Sequence, residues 1–182
     1  MKDLTIRPLA GRDVAPISAA FSAVGWNKPR SQYASYLSEQ QRGARTVFVA
    51  FLGEDFAGYV TIVWTPSYLP FLAAGIPEIQ DFNVLPRFRR RGIGTRLMDE
   101  AERKISESSG VAGIGVGMSP DYGVAQRLYV LRGYVPDGKG LTSNGSTVRP
   151  GDEITVNDGL VLCMTKTLAE GPSRSSPPAW AS

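Results

Sequence analysis

Between Glu78 and Lys104 the chain reads EIQDFNVLPRFRRRGIGTRLMDEAERK, and this stretch constrains the fold more than any other. Its opening, EIQDFNV, has the character of a β-strand and is stopped by Pro86, which cannot donate to a sheet ladder. From Gly92 onward, Ile93, Leu97, Ala101 and Ile105 recur every four residues, which predicts a helix with one apolar face. On its outer face, Asp99/Arg103 and Glu100/Lys104 stand at i,i+4 spacing with the acid on the favoured N-terminal side. Between strand and helix stand Arg89, Arg90 and Arg91, followed by Gly92-Ile93-Gly94. Adjacent like charges repel, and glycines weaken a helix start, so the run calls for a negative partner. A strand that turns into a helix leaves backbone N–H groups unpaired at the helix start, and the helix dipole adds positive potential there. Gly92 and Gly94 carry no side chain to keep a phosphate away, and the arginines add charge at the rim. The turn is therefore expected to hold a diphosphate. A solvated corner would explain the charges but not both glycines.

The rest of the chain supplies a mixed α/β (α+β) pattern. LTIRPL is a short opening strand. GRDVAPISAAFSAVGW carries helical spacing through Val14, Ile17, Phe21 and Val24, and a second helix presents Tyr33, Tyr36 and Leu37. RTVFVAFLGEDFAGYVTIVW is a hairpin around Gly53-Glu54-Asp55, and TPSYLPFLAAGIP a proline-punctuated loop. After the arginine-glycine turn and its helix come a glycine-rich strand, VAGIGVGM, a helix, YGVAQRLYVLRG, and a strand opening with YVP. A polar excursion over 138–159 precedes the final strand, LVLCMTKTL. Hairpins dominate the first half, so the sheet is expected to be mixed rather than all-parallel. A single domain is expected over 1–168, with a disordered tail over 169–182.

Absences narrow the chemistry. No histidine is present, which excludes Ser-His-Asp and Cys-His nucleophile systems and any histidine-held metal; no metal site is expected. The lone Cys163 lies in an apolar run and reads as core filler. The amino terminus is too polar for a signal peptide and no window is long and apolar enough to span a bilayer, so no membrane association and a cytoplasmic location are expected. A net charge of +3 is too small to argue for nucleic acid and suits an anionic small ligand.

The identity of the diphosphate is constrained by motifs that fail. A P-loop needs Gly-x-x-x-x-Gly-Lys-Ser/Thr, whereas Gly94 is followed by Thr95-Arg96. GIGTRL lacks the third glycine of a dinucleotide fingerprint, and the glycines of GVAGIGVGM are misplaced for one. RRRGIG, lying after FNVLP and before TRLMDEAE, instead resembles the acetyl-CoA pyrophosphate loop of the GCN5-related N-acetyltransferases, Gln/Arg-x-x-Gly-x-Gly/Ala, through Arg89, Gly92 and Gly94. AQRLYVLRGY is similar to that family's downstream Ala-x-x-Leu-Tyr-x-x-x-Gly-Phe/Tyr segment through Ala125, Leu128, Tyr129, Gly133 and Tyr134. The two elements stand in the family's order, and the resemblance spans Leu4 to Thr167.

The resemblance implies a mixed, mostly antiparallel sheet flanked by helices, in which two neighbouring parallel strands, here EIQDFNV and VAGIGVGM, splay apart around the pantetheine arm. It implies main-chain pairing of the pantetheine near Phe82 and Val84. Backbone N–H groups from Arg89, Arg90, Arg91, Gly92, Ile93, Gly94 and Thr95 would hold the pyrophosphate. Ala125 falls in the cofactor-side helix, and Tyr122 stands where the family often has a cofactor-contacting Asn. Gly113, Gly115 and Gly117 share one strand face, which serves cofactor room, close packing or both. By the same resemblance Tyr129 protonates the departing thiolate, which suits a phenol of pKa about 10. An amine acceptor must lose a proton to attack, and with no histidine available the bases to consider are Glu78 and Asp81, acting directly or through a water chain. Strand alternation places these two on opposite faces unless a bulge intervenes, and Glu78 is slightly favoured. Trp26, Tyr33, Trp64 and Tyr68 are alternatives for an acceptor wall or for core. The implied reaction is direct acyl transfer from acetyl-CoA to a primary amine in a ternary complex, with a small-molecule amine preferred. Acylation of a protein N-terminus or lysine, and a silent acyl-CoA-binding module, stay open, as does a homodimer.

Overall fold

The computed structural model describes residues 3–168; the expected C-terminal tail lies outside the described residues. Eight strands form one sheet in the order β1-β2-β3-β4-β5-β8-β6-β7. They are β1 (Leu4–Pro8), β2 (Arg45–Leu52), β3 (Asp55–Val63), β4 (Glu78–Val84), β5 (Val111–Gly117), β6 (Val135–Ser143), β7 (Ser146–Thr147) and β8 (Leu160–Thr167). The helices are α1 (Val14–Ser22), α2 (Arg30–Gln41), α3 (Leu69–Ala74), α4 (Ile93–Ser106) and α5 (Gly123–Leu131). Every neighbouring pair is antiparallel except β4 and β5, which run parallel because α4 carries the chain back between them. The expected mixed, mostly antiparallel sheet is thus present. The expected loop before β4 contains the short helix α3, entered through Pro70 and closed by Gly75 at φ 64°.

Alternation along β2 and β3 divides the core into two layers. Tyr59 and Thr61, opposite Val49 and Val47, face α1 and α2: Tyr59 meets the rings of Phe21 and Tyr33 edge-on, and Arg45 bonds Thr61 while pairing with Glu39. The intervening Phe48, Ala50, Val60 and Ile62 turn to the opposite face, where α4 lies. There Ile93, Leu97, Met98, Ala101 and Ile105 are buried, as their spacing predicts. The charge pairing outside α4 differs from the i,i+4 expectation. Arg103 bonds Glu100 and Glu107, Lys104 bonds Glu107, and Arg132 from the end of α5 takes both Asp99 and Glu102. A longer guanidinium arriving from another element wins Asp99, which strand-and-helix spacing alone does not foresee.

Leu97 is fully buried at the centre of the α4 layer. Leu97→Ala is expected to cost about 3 kcal/mol, read as a fall in Tm of roughly 6–12 °C. A change below about 2 °C would show that α4 is not packed as described.

Candidate active site

The two parallel strands meet only at their beginnings, where Glu78 lies opposite Gly113 and Ile79 opposite Ile114. Beyond Ile79 they separate, and the cause lies on the other edge of β4. Between the pairs Thr61–Gln80 and Tyr59–Asn83, β3 advances two residues while β4 advances three. The additional residue is absorbed at Asp81, whose φ is 45°. This is a β-bulge, and it re-aims the strand. It also reverses parity: Glu78, Asp81 and Asn83 all face α1 and α2, although the first two lie three positions apart. Uninterrupted alternation would have put Glu78 and Asp81 on opposite faces; the bulge corrects that expectation. Phe82 points the other way, and its ring tip lies 3.0 Å from where a Cβ on Gly94 would stand. A larger residue here would have to push the Phe82 ring aside, so Gly94 lets the start of α4 sit close to β4.

A cleft of about 310 Å³ opens where β4 and β5 part. Glu78, Asp81 and Phe82 from β4 line it, with Gly115 and Gly117 from β5, Tyr122 and Tyr129 around α5, and Asp158 and Val161 beside β8. The structure thereby brings Glu78, Asp81, Phe82, Tyr122 and Tyr129 to one cavity.

The two carboxylates differ sharply. Asp81 accepts from Lys28 at 2.6 Å and Asn83 at 2.8 Å on one oxygen. Its other oxygen accepts from Gln32 and Tyr36, both at 2.8 Å, and from the Tyr59 hydroxyl. Burial alone would raise its pKa, but the Lys28 ammonium and these donors outweigh it and hold the group below the usual carboxylate range. Glu78 is 7% exposed and accepts one bond, from Gln80 Nε2 to Oε2 at 2.8 Å. Burial pushes its pKa up, only partly offset by Gln80 and the charge of Arg45. A carboxyl whose pKa is raised is the better proton acceptor near neutral pH.

That shift has a consequence for stability. The folded pKa of Glu78 lies above its unfolded value, so the folded state binds the proton more tightly. Its contribution to stability is full below the ordinary carboxylate pKa and is lost as pH rises from there through the raised folded value. Glu78→Gln is expected to melt higher than wild type at about pH 8, with the gap closing near pH 4. A lower Tm for the variant at the alkaline end would contradict a buried, poorly compensated charge.

Tyr129 is 6% exposed and lines the cleft, and its hydroxyl makes no hydrogen bond among the described residues. Burial first, and the Tyr122 phenol second, push its pKa above the ordinary phenol range, so it keeps its proton. Tyr122 lies flat over Gly117, where any Cβ would meet its ring at 2.5 Å, and its hydroxyl donates to Asp158 at 3.1 Å. Gly113 is covered in the same way by Phe71, and Gly115 lies beside Val161 and Glu78. All three are closely packed, and Gly115 and Gly117 also line the cleft. Ala125 is half-buried against the core.

The arginine-glycine turn forms as its sequence suggests. Arg90 and Gly92 adopt φ 61° and 74°, and the first intrahelical bond runs from Arg96 N–H to the Gly92 carbonyl. The N–H groups of Ile93, Gly94 and Thr95 precede it without an i−4 partner. Arg89, Arg90 and Arg91 are exposed, as is Thr95, while Ile93 is buried. Arg89 Nε donates to the carbonyl of Val84 at 3.1 Å, and its guanidinium lies over the Trp26 ring at 5.6 Å. The turn is thus tied directly to the C-terminal end of β4.

The four candidate wall aromatics are dispersed. Tyr33 is core. Trp64 donates to Thr46 on the α4 side of the sheet, Trp26 stacks on Phe21, and Tyr68 donates to Asp137 at 2.7 Å. None of them lines the cleft. Cys163 is 3% exposed and its thiol is pushed up to about 12, first by burial, which leaves it unreactive. The five donors around Asp81 were not foreseen, since they arrive from four separate elements. The one sequence signal was the residue type itself, because Asp tolerates positive φ. No helix among the described residues is long and apolar enough to cross a membrane. No group of three or more metal-ligating side chains forms among them.

The sequence profile of the Acetyltransferase (GNAT) family matches residues 14–134, more than half of the chain. The protein belongs to the GNAT acetyltransferase family. Solved structures agree on the fold. The ribosomal-protein-S18-alanine N-acetyltransferase of Escherichia coli superimposes with a TM-score of 0.67 at 14% identity, over 96% of this chain and 99% of that one. The yncA protein of Salmonella typhimurium, solved with its cofactor acetyl-CoA, gives 0.64 at 18% identity over 96% and 99%. The spermidine/spermine N-acetyltransferase SpeG of Vibrio cholerae gives 0.61 at 17% identity over 90% and 92%. No curated protein sequence is significantly similar to the chain. At these identities the likeness shows the fold alone, and the first and third of these proteins are named for unlike acceptors, a ribosomal-protein alanine and a polyamine.

Proposed function

We propose that the protein moves the acetyl group of acetyl-CoA directly to a primary amine, with a small-molecule amine as acceptor. The observation that carries the reading is the meeting of Glu78 and Tyr129 in one cleft, at the point where β4 leaves β5. One group is poised to take a proton and the other to give one. The residues present fit the cofactor. The N–H groups at the start of α4, with Arg89, Arg90 and Arg91 around them, suit a pyrophosphate, and the gap beside Phe82 and Val84 suits an extended amide-bearing arm.

Acetyl-CoA, when bound, supplies the acyl group. The chain's own part is proton management and positioning. Glu78 takes the proton of the incoming ammonium, since only a neutral amine has the lone pair to attack. Tyr129, held protonated by burial, donates to the leaving sulfur. Phe82, packed on Gly94, keeps β4 in register with the anion turn. No side chain forms a covalent intermediate in this scheme, since Cys163 is buried and its thiol stays protonated. A small acceptor is preferred because no strongly acidic run in the sequence suits the docking of a basic peptide.

The test is incubation with acetyl-CoA and two acceptor panels, small primary amines and short peptides with free N-termini, followed by mass spectrometry. N-acetylated small amines and stoichiometric free CoA are expected. Acetylated peptides alone would move the acceptor to protein, and no CoA release with either panel would leave a binding module.

A further inference from the structure

We infer that Asp81 is a positioning residue that locks the β4 bulge to the α1–α2 segment and, through that segment, seats Arg89 at the anion turn. The inference rests on the acetyl-CoA reading above and deepens it by assigning Asp81 a role other than proton acceptor.

Asp81 holds a backbone conformation that a non-glycine residue keeps only when its surroundings over-determine it. The surroundings do so here. Its side chain receives five donors: Lys28 from the α1–α2 segment, Gln32 and Tyr36 from α2, Tyr59 from β3 and Asn83 from β4 itself. With every donor in place, the carboxylate has no free direction from which to accept a proton from a substrate. Its contacts bind the bulge to three separate elements.

The Lys28 contact extends further. The Lys28–Asp81 pair is largely buried, at 19% and 18% side-chain exposure. Lys28 is held from behind by Ser18, which donates to its carbonyl, and its N–H donates to the carbonyl of Trp26. Trp26 stacks on Phe21 with ring centroids 5.5 Å apart, and its other neighbour is the Arg89 guanidinium. Arg89 also closes on the carbonyl of Val84, at the end of the strand that the bulge redirects. A closed circuit therefore runs from Asp81 to Lys28, Trp26, Arg89, Val84 and back along β4. Loosening it at Asp81 displaces the β4 wall of the cofactor gap together with the anion turn.

The experiment compares wild type with Asp81→Asn and Lys28→Met, reading the Kd for acetyl-CoA by calorimetry and amide exchange over residues 24–32 and 88–95 by mass spectrometry. Asn tolerates positive φ, so Asp81→Asn removes the charge and spares the backbone. Asp13→Asn serves as control. Asp13 is buried and paired with Arg7 at the N-terminal end of α1, the end away from Trp26 and Lys28, so its loss costs stability without touching the circuit. Both circuit variants are expected to raise the Kd roughly tenfold and to speed exchange in both segments, whereas Asp13→Asn melts lower with neither change. A folded Asp81→Asn that binds within about twofold of wild type, with exchange unaltered, overturns the inference. If Asp81→Asn does not fold, Lys28→Met decides by the same readings. Failure of wild type to bind acetyl-CoA would count against the cofactor reading alone, and exchange in the ligand-free variants would still decide the role of Asp81.

Discussion

Tyr129→Phe is expected to lower turnover about 10³-fold, with any acceptor the wild type acetylates, while affinity for acetyl-CoA stays within about twofold. The ring is buried against the core, so removing one oxygen leaves packing intact. The hydroxyl itself faces the cleft and has no bond to another described residue, so its loss orphans no protein group. What disappears is a buried phenol of the cleft that can give a proton to a leaving sulfur. Burial keeps that proton in place at neutral pH. The variant should therefore separate kcat from binding. Unchanged turnover would remove Tyr129 from the mechanism and leave it a core residue.

Gly92→Glu is expected to raise the Kd for acetyl-CoA at least about 100-fold, which corresponds to nearly 3 kcal/mol. Two effects add. Gly92 has a φ of 74°, a conformation that costs a side-chain-bearing residue on the order of 1–3 kcal/mol. The carboxylate would then stand at the N-terminus of α4, competing with a pyrophosphate for the same N–H groups. Nothing lies within 4 Å of the Cβ position, so the effect is not a clash with the fold. Gly92→Ala, carrying the strain without the charge, should fall between the two. Unimpaired affinity in Gly92→Glu would dismiss this turn as the pyrophosphate site.

Much of the architecture could be read from the chain because its signals are local. The four-residue recurrence from Ile93 to Ile105, the stop at Pro86 and the paired glycines of the turn each act within a few residues. The motif pair RRRGIG and AQRLYVLRGY then carried the family. The bulge could not be read in this way. It depends on β4 advancing three residues against two on β3, and it is held by donors 22 to 53 positions away in the chain. Without it Glu78 and Asp81 fall on opposite faces; with it they share a cleft but not a chemistry. Residue type gave two equivalent carboxylates, and burial made them unlike. The failure of Trp64 to reach the site has the same origin, since only sheet pairing decides which face a strand-end residue takes.

We propose that the arginine-glycine turn holds a coenzyme A pyrophosphate. Isothermal calorimetry of the wild-type chain with acetyl-CoA, with CoA and NAD as controls, tests it most directly. Micromolar binding of acetyl-CoA and CoA with no heat from NAD is the predicted result. Silence with all three would leave the turn a solvated corner and contradict the account.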